Sequence, residues 1–236
     1  MVSFFEVMNE GTDNGDIDLA VSRYGLSWSY EKIVLDEPFH LSYPYVFKWQ
    51  DEYYMIPEST AAGELRLYKA TRFPVNWTFV SSLLKGHHAD PSIFRFGNKW
   101  WLFAETSGPP FDTLCLYYSE NLLGPWKSHP QNPIVHGDAN IARPGGRVII
   151  YDHHPYRFTQ DCDPVYGSQV RAFRITKLTE SAYQEEEIPE SPVLKPQGKG
   201  WNSQLMHHID VHRSGNGNWI ACVDGCGDKL VFGFGY

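Results

Sequence analysis

Cysteine is scarce in this chain: Cys115, Cys162, Cys222 and Cys226 are the four among 236 residues. Their spacing fits no zinc motif, and a chain of this length builds a core that needs no disulfide staples. Free, mostly packed thiols and no metal site are therefore expected. Long apolar runs are missing too. None approaches the roughly 20 residues that cross a bilayer, and the opening MVSFFEVMNEG has neither a basic leader nor a cleavable apolar stretch; this predicts a cytoplasmic chain with no membrane span. Positive charge is in deficit, with 20 Lys and Arg against 28 Asp and Glu, a net charge of −8 and a pI near 5.6. That balance argues against nucleic acid or an anionic membrane surface as the main partner. Helix-period patterning is scattered, whereas aromatic residues make up 15% of the chain, which favours β-structure with large flat side chains between stacked sheets.

What is present is a repeat. The stretch His88 to Glu105, HADPSIFRFGNKWWLFAE, reads as an apolar strand opened by Asp90-Pro91, a turn at Gly97-Asn98, and a returning strand that ends in a carboxylate at Glu105. A hairpin brings Asp90 and Glu105 to the same end. Tyr43-Pro44 opens the same pattern 47 residues earlier, and Glu58 closes it 47 residues before Glu105. A third copy runs from Arg143-Pro144 to Asp161. A fourth runs from His208-Ile209-Asp210 through SGNGN to Asp224, with one residue of slack. Short strands and aromatic doublets at a period of 40 to 50 residues are the signature of a β-propeller, one repeat per blade. Outer strands follow in ELRLYKATR, WTFVSSLL, TLCLYYSE and QVRAFRITKL, and Glu185 to Glu187 are expected to form a solvated edge. Residues 16 to 35 read as the outer half of a further blade, with too little before them for a clear inner pair, and the final KLVFGFGY offers a strand to complete it. The expectation is an all-β, five-bladed β-propeller whose last blade is closed by both termini, a single domain over residues 1 to 236; a piece cut from a longer chain would look the same.

Blade geometry gathers the openings of inner strands and the ends of second strands at one face. Tyr43, Asp90, Arg143 and the His208 to Asp210 step come from the first set, and Glu58, Glu105, Asp161 and Asp224 from the second. Polar groups concentrated at the open end of an apolar scaffold suit a small polar ligand. Each has a structural reading beside the functional one. Asp or Glu at a strand end caps the next turn by accepting backbone N–H bonds, which is the stronger reading for Asp224 before Gly225 and an even one for Glu58 and Glu105. Asp90 stands where no turn needs it, so function is favoured there. Arg143 is read as a salt-bridge partner of Asp161 or a ligand clamp, two compatible roles. Asp161 and Asp163 alternate around Cys162, one inward and one outward. His207 and His208 face opposite ways.

Ala89-Asp90-Pro91-Ser92-Ile93 before an aromatic-rich strand resembles the blade opening of the five-bladed propeller glycosidases, the arabinanase, β-xylosidase, invertase and levansucrase group. SYPYVFKWQDEYYMIPES, LRLYKATRFP, WWLFAET, ARPGGR, YRFTQDCDPVYG and MHHIDVH resemble more closely the propeller domain at the N-terminal part of plant glucosamine inositolphosphorylceramide transferases and its bacterial relatives, over roughly Asp16 to Asp224. The first resemblance implies hydrolysis of a glycosidic bond by paired carboxylates, with Asp90 ionised and Glu58 or Asp161 as the acid. Only Asp90 carries over by motif, because the other inner heads are Tyr43, Arg143 and His208. Substrate would be held by Tyr43, Glu105, Arg143, Gln160, Trp201, Asn202, His207, His208 and Asp210. The second resemblance implies a carbohydrate or glycoconjugate ligand and an adjoining transferase domain as partner, with a non-catalytic glycan-binding or scaffolding role as the alternative. No cofactor is expected; an axial cation held by Asp90 and His208 is a third alternative.

Overall fold

The computed structural model describes residues 1–215 and 217–227, and these form 18 strands in five sheets with no α-helix among them. The first sheet orders β1 (Val2–Asn9), β2 (Asn14–Val21) and β3 (Ser29–Leu35). The second runs β4 (Ser42–Trp49), β5 (Glu52–Glu58), β6 (Glu64–Arg72) and β7 (Asn76–Lys85). The third holds β8 (Ala89–Phe96), β9 (Lys99–Glu105), β10 (Thr113–Ser119) and β11 (Lys127–Ser128), with β12 (Val135–His136) also on β10. The fourth runs β13 (Ile149–Tyr151), β14 (His154–Gln160), β15 (Val170–Leu178) and β16 (Tyr183–Glu187), and the fifth pairs β17 (Leu205–Arg213) with β18 (Trp219–Cys226). The residues before Asp16, too few by sequence for an inner strand, do form β1, paired along its whole length with β2. The closing KLVFGFGY strand lies outside the described residues.

The chain divides into two compact units, the first made of residues 1–108 and 115–129, the second of 109–114 and the described residues from 130 onward. In the first, Ile17, Leu35, Leu41, Met55 and Tyr68 pack between the first two sheets, and Tyr45, Ile56, Leu65, Leu67, Ile93, Trp100 and Leu102 between the second and third. In the second, Phe158, Val170, Ala172 and Val211 form the core. Within a strand they alternate, as Leu65 and Leu67 on β6 and Trp100 and Leu102 on β9 do, so the pleat sends each pair to one face.

The repeat is a repeat of backbone as well as of sequence. The tight turns at Gln50-Asp51, Gly97-Asn98 and Asp152-His153 all have both central residues at positive φ, the two-residue hairpin geometry that matches strand twist. At the other end of the hairpins, Tyr43-Pro44 and Asp90-Pro91 form bulges opposite Pro57 and Ala104, next to the Ser42–Glu58 and Ala89–Glu105 pairs. Tyr43 and Asp90 sit at φ +46° and +47°. A left-handed residue before proline is strained, and here it turns the side chain away from the ladder.

Two expectations change on this frame. In the fourth copy the bulge lies at Met206 and His207, so Cys226 takes the ladder position of Glu58 and Glu105, and Asp224 pairs with His208 inside β18 rather than capping a turn. The acidic edge is not simply a solvated rim. Glu185 accepts from both Nε and Nη2 of buried Arg157 at 2.5 Å and from the Tyr183 hydroxyl, because alternation turns it inward while Glu186 and Glu187 pair with Arg174 and Arg171. Of the four thiols, Cys115 and Cys162 are half-buried while Cys222 and Cys226 are exposed, and none is in a disulfide.

Candidate functional site

In the first unit the heads of β4 and β8 meet. The Glu58 carboxylate crosses from the second sheet to accept the Asp90 N–H at 3.0 Å and also accepts from Thr60 Oγ1. The Tyr43 hydroxyl lies 2.9 Å from Ser92 Oγ, and the Tyr45 hydroxyl donates to the Ile93 carbonyl. Asp90 is 4% exposed and Glu105 fully buried. One Glu105 oxygen accepts from Ser107 N and Oγ, the other from Gly108 N, and His87 Nε2 stands 3.6 Å away. Glu105 thus caps the loop that follows its strand. Behind it, His88 Nε2 meets the Tyr117 hydroxyl at 3.1 Å; burial holds the imidazole below its ordinary pKa and raises that of the phenol.

In the second unit Arg143 is not the partner of Asp161. Both Asp161 oxygens are taken by the Arg171 guanidinium, at 2.8 and 3.1 Å, and Gln169 adds a third donor at 2.6 Å. Asp161 and then Glu187 hold the Arg171 guanidinium above its ordinary range, against the desolvation that would lower it. Asp161 is buried and Asp163 exposed; both lie past the end of β14 at Gln160, so the loop and not the pleat separates them. Arg143 lies instead between two rings, 4.3 Å from the Phe111 centroid and 5.0 Å from that of Tyr166. Tyr166 continues to His207, ring to ring at 5.8 Å, and His207 Nδ1 pairs with Asp224 at 3.1 Å. Gly167, at φ +68°, makes this possible, since a Cβ there would come within 2.6 Å of His207 Cβ. Gln160 is buried and donates to the Pro144 carbonyl.

Asp210 accepts from Arg147 at 2.7 Å and His212 at 2.8 Å. Burial alone would raise its pKa; the His212 hydrogen bond and the Arg147 charge outweigh that and hold the carboxyl well below the usual range. Asp224 is likewise lowered by His207 and His208 despite burial. Trp201 and Asn202 form a 3-10 turn pressed onto β18. A Cβ at Gly225 would meet Trp201 Cζ3 at 2.8 Å and Asn202 Cβ at 2.9 Å. This turn presents the indole 60% exposed above a buried Asn202, whose amide oxygen makes no hydrogen bond.

A cavity of about 280 Å³ opens in the same unit, with Asp112, Asp138, Asn140, Cys162 and Asp163 in its lining. Sequence reasoning passed over it, and over Phe111 and Tyr166. The one available signal was the Pro-Pro-Phe-Asp step before β10, where Phe111 adopts φ +65°, an outlying conformation for so bulky a residue. Among the described residues no cluster of three or more His, Cys, Asp or Glu has the arrangement to hold a metal ion.

Antiparallel sheets of this order, two of them with a strained head at Tyr43 and Asp90, match a known fold. The fold is that of the propeller glycoside hydrolases. Solved structures that match include a family 117 glycoside hydrolase of Zobellia galactanivorans (TM-score 0.58, 14% identity, 86% of this chain and 66% of that one). An α-L-arabinanase of Cellvibrio cellulosa aligns with TM-score 0.57 at 15% identity, covering 78% of this chain and 73% of the other. A β-1,2-mannobiose phosphorylase of Listeria innocua aligns with TM-score 0.66 at 15% identity, covering 85% and 61%. At such identities the likeness is one of fold. Residues 1–226 match the family described as "Glucosamine inositolphosphorylceramide transferase 1, N-terminal", and the chain belongs to that family. The rice protein named glucosamine inositolphosphorylceramide transferase 1 is 41% identical over 231 residues, and its Arabidopsis thaliana namesake 39% over 237, covering 94% and 98% of this chain. The chain spans 31% of the length of either relative.

Proposed function

We propose that this chain is a non-catalytic glycan-binding propeller that holds a glycoconjugate for a transferase domain of the kind the longer relatives are named for. The observation that carries this reading is the occupation of the expected acids. A general acid must face its leaving group with a proton to give. Asp161 instead accepts from a guanidinium and an amide with both oxygens, and Glu58 accepts a backbone N–H. What faces outward is binding chemistry: the Trp201 indole, the Tyr166 ring and the His207–Asp224 pair, groups that suit the apolar faces and hydroxyls of sugars. The repeat supports reading the five sheets as the five blades of one propeller domain.

The alternative is hydrolysis, for which Glu58 and Asp90 bring two acidic residues to neighbouring strand heads. One experiment separates the two. Titration with aryl pyranosides, aryl furanosides, myo-inositol and inositol phosphate, followed by tryptophan fluorescence, is expected to show binding that Trp201→Ala weakens about tenfold, an affinity difference near 1.4 kcal/mol. No aryl release is expected from wild type. Release that Asp90→Asn abolishes would establish the hydrolase instead.

A further inference from the structure

The cavity of the second unit, about 280 Å³, has no part in the glycan-binding surface proposed above. Three carboxylates line it, Asp112, Asp138 and Asp163, together with Asn140 and Cys162, and no lysine, arginine or histidine is among its lining residues. The backbone stitches its walls to one another. Asp138 N donates to the Asp112 carbonyl at 3.4 Å, and Cys162 N to the Ala139 carbonyl at 3.0 Å. Two of the carboxylates are held in place: Asp112 Oδ1 accepts from Thr113 Oγ1 at 2.8 Å, and Asp138 Oδ1 from Asn140 N at 3.0 Å. Neither Asp138 nor Asp163 forms an ion pair with a described residue. In the same wall the amide oxygen of Asn140 is buried and has no hydrogen-bond partner.

From this cavity we infer a binding site for a small organic ammonium ion. Like charges gathered around one space repel, and a cation placed among them removes that cost and gains charge-assisted hydrogen bonds. The side-chain inventory agrees. Carboxylates and an unpartnered amide oxygen accept hydrogen bonds, and an ammonium group carries three donors and no acceptor. An anion would meet repulsion from all three aspartates. Size decides between an organic cation and a metal ion. A metal draws its oxygen ligands in to about 2.0–2.6 Å, and among the described residues no cluster of three or more His, Cys, Asp or Glu has that arrangement. A space of about 280 Å³ is far more than a bare ion fills and close to the lower end of small-molecule pockets, about 300 Å³. Asp138 and Asp163 are exposed, so the ligand reaches them from solvent. The site does not depend on the glycan-binding reading, because Trp201, Tyr166 and His207 are not in its lining, and either can fail alone.

The test is isothermal titration calorimetry of the whole chain at low ionic strength, with putrescine and ethanolamine as ammonium probes and 1,4-butanediol and ethylene glycol as their uncharged counterparts. None of the four is a sugar, so the result is independent of the glycan site. Putrescine, whose two ends can reach separate carboxylates, is expected to bind one to one, ethanolamine more weakly, and the two diols not at all. Asp138→Asn and Asp163→Asn keep the side-chain shape and should each weaken putrescine binding about tenfold, with an unchanged circular dichroism spectrum. Asp152→Asn, at an exposed acid in the β13–β14 turn of the same unit, should bind as wild type does, which separates a local effect from one of net charge. Binding by neither amine overturns the site, as does equal binding by the diols or by the Asp138→Asn and Asp163→Asn variants. Calcium chloride that binds more tightly than putrescine and displaces it would make the cavity a metal site and likewise overturn the inference.

Discussion

At the scale of the residue, the carboxylates that looked alike in sequence have separate occupations. Glu105 gathers three donors in a fully buried position, so Glu105→Gln, which keeps the shape but loses the charge and an acceptor oxygen, is expected to cost about 2 kcal/mol. A lowered urea midpoint at unchanged m would check it. His88 has the opposite relation to charge. Burial depresses its folded pKa below the ordinary 6.5, so between those two values the unfolded chain holds more protons and stability rises with pH. Acidification from neutrality through the mid-6 range should therefore destabilise the protein, and His88→Gln should flatten that slope in urea titrations at a series of pH values.

At the scale of the element, sheet four holds its sharpest electrostatic feature. The side chain of Arg157 is 3% exposed and that of Glu185 is 13% exposed, and the two are linked by two parallel hydrogen bonds. Removing one partner strands the other, so Glu185→Ala is expected to destabilise by about 3–5 kcal/mol, while Arg157→Met with Glu185→Leu should recover most of that loss. Thermal unfolding of the two variants side by side measures the difference. The strands themselves were legible: ELRLYKATR is β6 to the residue, and the turn at Gly97-Asn98 fell where sequence placed it. Partners across strands were not. Asp161 could be assigned to Arg143 from spacing, but alternation along β15 delivers Arg171 instead. Which long side chain reaches a carboxylate depends on sheet twist and a bulge, neither of which spacing records. Phe111 escaped for a related reason, since its position follows from a left-handed backbone rather than from any periodic pattern.

At the scale of the molecule, the all-β class and the family were readable from a 47-residue period and a handful of motifs, because a repeated unit writes its geometry several times over. The site was half readable. Strand heads and ends are where polar groups gather, but their employment as caps and ion-pair partners emerges only from packing. This has a consequence in acid. Asp210 and Asp224 both have folded pKa values below the ordinary 3.8, so their pairing stabilises the second unit above about pH 4 and is lost as pH falls through the folded values. Circular dichroism followed down from pH 5 should show loss of structure below about pH 4, and Asp210→Asn should reduce that acid dependence.

The kinked residue before proline occurs at Tyr43 and again at Asp90, with the same dihedral and a different functional group. Shape and reactivity are thereby uncoupled: the main chain provides a standard socket, and whatever is fitted to it can change without the hairpin having to be rebuilt. A scaffold of that kind can change the chemistry at a strand head by exchanging a single plug.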